Sequence, residues 1–313
     1  MSVVSELSRL RRPKGARASR SPAERGDNKA AIFFLAPWFI GLGLITIGPM
    51  LASAYLSFTD YSLLQAPKWI GLANYSRMID DLQLHDSLKV TFTYVVVGVP
   101  LQLAAALGLA LLLDRGVRGL AIYRSVFYLP SLLGGSVAIA ILWRQIFGSS
   151  GLINLVLAHF GIQGASWVSD PQYALGTLII LHVWTFGAPM IIFLAGLRQI
   201  PEMYYEAASI DGAGKLRQFR AITIPLLTPI IFFNLVLQVI GAFQSFTQAF
   251  VVSGGTGGPV DSTLFYTLYL YRRGFADLQM GYASSMAWLL LIIIAVLTAA
   301  NFFLSKYWVF YND

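Results

Sequence analysis

The sequence predicts an all-α membrane protein with six transmembrane helices and both termini in the cytoplasm. Three observations carry that prediction. Of 313 residues, 57% are hydrophobic and only 12% charged, whereas about a quarter of a soluble domain is charged. The apolar residues fall in six long charge-free blocks, and Lys and Arg are shared unequally among the segments that join them. One polytopic unit explains the length better than two soluble domains, whose apolar residues would come in short amphipathic pieces.

The blocks span 30–59, 90–113, 125–143, 171–197, 221–260 and 278–305. Each holds the roughly 20 helical residues that cross a hydrocarbon core of about 30 Å. The fifth is long enough for a helix plus a loop, and GGTGGP at 254–259 is expected to mark the end of that helix, in a flexible connection. The first block is about twice a normal signal-peptide h-region and contains Pro37 and Pro49. It is therefore read as a retained anchor. Residues 1–29, rich in Arg, Ser and Pro, are expected to form a basic disordered tail.

Orientation follows from the basic residues. With a cytoplasmic N-terminus, segments 1–30, 114–124, 198–220 and 306–313 hold sixteen of the 22 Lys and Arg residues, and the longer opposite loops hold six. The positive-inside rule thus places both termini and segment 198–220 in the cytoplasm. Eight of the basic residues lie in the first thirty positions, ahead of the first apolar block. The net charge of +7 is a topology signal, and no nucleic-acid partner is expected. The chain has no cysteine, HExxH helix or GxSxG elbow, so no catalytic residue and no metal site is expected.

Segment 198–220 interrupts the apolar pattern with EAASIDGAGKLRQFRAI. Pro201 and Glu202 form a helix start, because proline tolerates the first position and an acid there complements the dipole. Gly212 and Gly214 allow a turn, and KLRQFRAI resumes a short helix towards Pro225. The result is a helix-turn-helix at the membrane face. GAGK is not a phosphate-binding loop, since Ser209 and Leu216 stand where that pattern needs Gly and Ser or Thr. An ordinary connection and a docking element remain.

These residues resemble the signature loop of permease subunits of binding-protein-dependent ABC importers: Glu-Ala-Ala, three residues, Gly, nine residues, Ile-x-Leu-Pro. The chain has Glu206, Ala207, Ala208, Gly212, then Ile222 to Pro225 at identical spacing, with Ile224 in place of Leu. Asp211, Ala213, Gln218 and Phe219 match the carbohydrate-importer version. GLANYSRMI, YRSVFYLPSLL, GLIN at 151–154 and MGYASSMAWLL also resemble sugar permeases of the maltose and glycerol-3-phosphate type. The resemblance implies the ABC importer type I permease fold, with a permease domain at 30–313 and a coupling loop at 201–224.

It further implies a carbohydrate permease of the cytoplasmic membrane, the solute a di- or oligosaccharide. The implied partners are a second homologous permease, two ATPase subunits and an extracytoplasmic solute-binding protein. ATP and Mg would be used by the ATPases, and no cofactor is expected on this chain. Glu206 would pair with a basic ATPase residue, Ala207 and Ala208 would allow close contact, and Gly212 would permit the turn. Gly254, Gly255, Gly257 and Gly258 would face the binding protein.

In the fifth block, Asn234, Gln238, Gly241, Ser245 and Gln248 follow a spacing of 4, 3, 4 and 3 and would share one helical face. Neutral amides and hydroxyls suit sugar hydroxyls. They suit interhelical hydrogen bonding equally well. His182 and Trp184, midway along the fourth block, are further candidates for the path. The alternative class is a self-sufficient secondary carrier or channel for a small polar solute. A carrier would be expected to hold an ion-coupling carboxylate in a span, and none of the six blocks contains Asp or Glu.

Overall fold

A computed structural model describes residues 22–116 and 119–310, with side chains from residue 32 onward. The chain divides into two compact units between Ser53 and Ala54. In the first, α1 (Pro22–Gly41) passes through a π-helical turn, Leu42–Ile47, into α2 (Gly48–Leu56), whose last residues, from Ala54, belong to the second. Pro49 has no N–H to offer the preceding turn, and Gly48 N–H reaches back five residues to Gly43 O. The helix starts at Pro22, inside the segment expected to be disordered; residues 1–21 of that segment lie outside the described residues.

The second unit opens with a short antiparallel ribbon, β1 (Thr59–Asp60) and β2 (Lys68–Trp69), with Thr59 opposite Trp69 and Asp60 opposite Lys68. The helices follow: α3 (Ala73–Asp80), α4 (Leu82–Asp114), α5 (Leu120–Leu133), α6 (Val137–Ile146), α7 (Leu152–His159), α8 (Pro171–Trp184) and α9 (Gly187–Leu197). Next come α10 (Glu202–Ile210), α11 (Lys215–Gln218), a π-helical turn at Phe219–Thr223, α12 (Ile224–Phe243) and α13 (Thr247–Val252). Last are α14 (Tyr266–Tyr271), a second π-helical turn at Arg272–Ala276, and α15 (Met280–Trp308).

The organising element of this unit is α4, which packs against α8, α9, α12 and α14. Its buried residues, among them Ser87, Thr91, Tyr94, Gly98, Gln102, Ala106, Ala110 and Leu113, recur every three or four positions and form one continuous stripe. Lipid tails are as apolar as leucine, so such helices are held by close packing and by hydrogen bonds rather than by escape from water. The small residues in the stripe permit that approach.

Among the described residues, four helices are long and apolar enough to cross a membrane, or up to six if each of two bent pairs counts as one span. Two of the six blocks are bent within their length. The third block is broken between α5 and α6 by 96°, and the fourth between α8 and α9 by 42°. The fifth block is corrected: α12 stops at Phe243, well before the glycine loop.

Candidate functional site

In the second unit, α10 and α11 form the expected helix-turn-helix. Pro201 is extended and Glu202 opens the helix. Gly212 then adopts φ +75°, where a Cβ is strained although there is open space for it. The turn closes as a Schellman motif, with Ala213 N–H on Ala208 O at 2.8 Å and Gly212 N–H on Ser209 O at 3.0 Å. Gln218 fastens the two helices: its Nε2 donates to Ser209 Oγ at 2.8 Å and Ala213 O at 3.1 Å. The Tyr205 and Thr223 hydroxyls meet at 2.9 Å across the π-helical turn.

This packing leaves Met203, Glu206, Ala207 and Ile210 on the outer side of α10. Ile210 is 88% exposed and Met203 66%, with Leu216 of α11 exposed beside them. Asp211 is exposed at the end of α10, and Phe219 and Pro225 are half-buried behind it. The segment therefore combines a fixed backbone with an uncovered apolar stripe next to the Glu206 carboxylate.

The three helix breaks form a polar centre. At the α8–α9 break, Thr185 O accepts from Ser131 Oγ at 2.8 Å and from Gln102 Nε2 at 3.2 Å. Ser131 Oγ in turn accepts from Ala188 N–H at 2.9 Å, so one hydroxyl staples both sides of the break. Gly134, at the α5–α6 break, sits so close to Thr185 that a Cβ there would lie 2.2 Å from the threonine methyl. Its carbonyl accepts from Gln248 Nε2 at 3.1 Å. At the α12–α13 break, Ser245 Oγ donates to Gln248 Oε1 at 3.2 Å, and Ser245 O accepts from Thr267 Oγ1. Backbone groups freed inside a membrane must find such partners.

This arrangement corrects the single polar face. Asn234, Gln238 and Gly241 lie on α12, whereas Ser245 and Gln248 lie beyond its end, because the helix stops at Phe243 and the chain turns. Asn234 is fully buried, with Nδ2 on Ile230 O at 3.1 Å and Oδ1 unpaired among the described residues. Gln238 is half-buried. His182 and Trp184 point to different neighbours. The histidine ring lies 5.1 Å from Tyr94 of α4, and Trp184 lies 5.9 Å from Trp143 of α6.

The glycine loop is folded rather than loose. Gly254, Gly255, Gly257 and Gly258 all have positive φ. Thr263 donates through both N–H and Oγ1 to Gly257 O at 2.8 Å, and Arg272 Nη1 donates to Thr256 O at 2.8 Å.

Near it stands a cluster absent from the sequence reading. Asp81 caps α4 through Leu84 N–H and accepts from the hydroxyls of Tyr269, at 2.7 and 2.9 Å, and Tyr282, at 2.7 Å. Arg273 donates to Tyr269 Oη and lies 3.9 Å from the carboxylate. Burial alone would raise the Asp81 pKa; the bonds from Tyr269, Tyr282 and Leu84 and the Arg273 charge together hold it below its ordinary value. Burial, with the carboxylate beside it, pushes Tyr269 up to about 12.

Gln102, Ser131 and Thr185 were also missed. Each shares its apolar block with other polar residues, Gln102 with Thr91 and Thr93, Ser131 with Ser136 and Thr185 with Thr177, and little in the sequence set it apart from them. The available signal was the depth of Gln102, since an amide in a span needs a partner.

This broken-helix bundle with an exposed helical loop is the architecture of an importer permease. Residues 90–308 match the family of the binding-protein-dependent transport system inner membrane component. The chain belongs to that family, and is a transport component of the inner membrane. It is 54% identical over 296 residues to the probable ABC transporter permease protein YesP of Bacillus subtilis (strain 168), covering 94% of this chain and 96% of that protein. It is 32% identical to the lactose transport system permease protein LacF of Rhizobium radiobacter, covering 93% and 99%. Its fold matches the crystal structure of a bacterial ABC transporter involved in the import of the acidic polysaccharide alginate. That likeness has a TM-score of 0.78 at 19% identity and covers 91% of this chain and 97% of the other.

Proposed function

We propose that the chain is a six-span permease subunit, with both termini cytoplasmic, of an importer that carries a di- or oligosaccharide. It works beside a second homologous permease, two ATPase subunits that use ATP and Mg, and an extracytoplasmic binding protein. No cofactor is bound by this chain. The observation that carries the reading is the uncovered stripe of Met203, Ala207 and Ile210 beside Glu206, on a helix-turn-helix fixed by Gln218. A rigid apolar stripe rimmed by charge is built to be covered by another protein. Lactose and alginate, in the names of the related proteins, support a carbohydrate as the solute.

ATP-driven approach of the ATPases would press on α10, and the π-helical turn at Phe219–Thr223 would pass the movement to α12 and the polar centre. Asn234, Gln238, Ser245, Gln248, His182 and Trp184 remain the candidate path residues. Gln248 and Ser245 have a second role there, since they also satisfy the breaks. The test is Glu206→Lys in the assembled importer. The variant is expected to insert in the membrane but to lose its ATPase on purification or to keep it without uptake, because the charge pairing is reversed. Normal uptake with normal ATPase retention would overturn the docking role.

A further inference from the structure

One feature outside the polar centre is a continuous run of aromatic rings. Phe246 and Phe250 stack at 5.3 Å, Phe246 meets Tyr271 at 5.2 Å, and Tyr271 stacks on Phe275 at 5.1 Å. The run begins one residue after Ser245, at the α12–α13 break. It ends at rings that stand open, with Tyr271 37% and Phe275 58% exposed. Arg272, Arg273 and Asp277 flank the open end in sequence, so these rings border water and not hydrocarbon. The near side is closed by the glycine loop: a Cβ on Gly255 would lie 3.2 Å from the Phe250 ring, and Arg272 ties the loop down at Thr256 O.

A sugar ring is amphipathic in a matching way. Its edges carry hydroxyls that seek amides and other hydroxyls, and its faces carry C–H groups that lie well on the electron-rich face of an aromatic ring. A track of rings that is open at Tyr271 and Phe275 and half-buried at Phe246, next in the chain to Ser245, offers both kinds of contact in sequence. Resting on the carbohydrate reading above, we propose that Phe246, Phe250, Tyr271 and Phe275 form a stacking subsite for sugar rings. The subsite receives the solute at the rim and passes it, face to face, to the polar centre. Stacking requires a face lined with C–H groups, which pyranose rings of different sugars can present, so this subsite selects for a ring face and not for one sugar.

The test uses the full importer complex in proteoliposomes, with labelled lactose, maltotriose, arabinotriose and guluronate trimer as probes of uptake. The sugar that wild type carries is then bound to the complex held in one state by ATP and a hydrolysis-deficient ATPase. Tyr271→Leu and Phe275→Leu keep apolar bulk but remove the ring, and each is expected to raise the half-saturating sugar concentration about two- to tenfold. Tyr271→Trp and Phe275→Trp are expected to restore it, with unfolding temperatures unchanged throughout. Wild-type affinity in the leucine variants would overturn the proposal. So would unchanged sugar binding with weakened stimulation of ATPase activity by the binding protein, which would make the rings a protein-docking surface. If wild type carries none of the probes, the carbohydrate reading fails and the subsite with it, a result distinct from wild-type uptake with indifferent variants.

Discussion

Asp81 joins three parts of the chain that are far apart in sequence: it caps α4 and accepts hydroxyls from Tyr269 of α14 and Tyr282 of α15. Asp81→Asn replaces one acceptor oxygen with a donor that faces two hydroxyls and Arg273. The expected cost is about 1–3 kcal/mol, the range for a buried polar group left without its partner, read as a lower unfolding temperature of the purified protein. The pH dependence follows from the lowered folded-state pKa. The carboxylate contributes stability that is fully present above its unfolded pKa of about 3.9 and is lost as pH falls through the lower folded value. Wild type should therefore lose this contribution only under strong acid, and the gap between wild type and Asp81→Asn should narrow there. An equal gap at neutral and strongly acid pH would sink the assignment.

Among elements, the α10–α11 hairpin was legible because its signals are local: Pro201 and Glu202 to start, Gly212 to turn, and the fixed spacing to Pro225. The helix breaks were not legible, since an apolar run long enough to span looks the same whether straight or bent. Gly134, Gly135 and Ser136 lie in the third block, where Ser136 Oγ caps α6 by accepting from Ile139 N–H, and the 96° bend there also engages a distant residue, since Gln248, more than a hundred residues away, takes the Gly134 carbonyl. The stretches that carried the family resemblance turn out to hold such joints. Asn74 bonds Ser57 O and Thr59 O, Ser131 staples the α8–α9 break, Asn154 bonds Ser149 O and Ala165 O, and Tyr282 reaches Asp81. The hairpin can be tested as a unit. Gln218→Leu removes the bonds to Ser209 and Ala213, each with a net value of about 1 kcal/mol. Hydrogen exchange in α10 should quicken several-fold while α4 and α15 stay protected; unchanged exchange in α10 would show that Gln218 does not hold it.

For the whole molecule, composition and the distribution of charge made the membrane class legible, but orientation rests on the basic residues alone and calls for its own measurement. The natural absence of cysteine makes that measurement clean, because any introduced thiol is the only one in the chain. Two positions in the second unit are almost fully exposed: Ile210 at 88% on the α10 hairpin and Val260 at 89% after the glycine loop. If sixteen of the 22 basic residues mark the cytoplasmic side, Val260→Cys should react with a membrane-impermeant thiol reagent in cells whose inner membrane is intact. Ile210→Cys should react only after that membrane is opened. The reverse pattern would invert the topology and, with it, the side from which the hairpin could be driven. The same cysteine then separates orientation from docking, since with the ATPase subunits present Ile210→Cys should become shielded even in opened membranes while Val260→Cys is unaffected. Labelling of Ile210→Cys at an equal rate with and without those subunits would leave the topology standing but would remove α10 as the surface on which they sit.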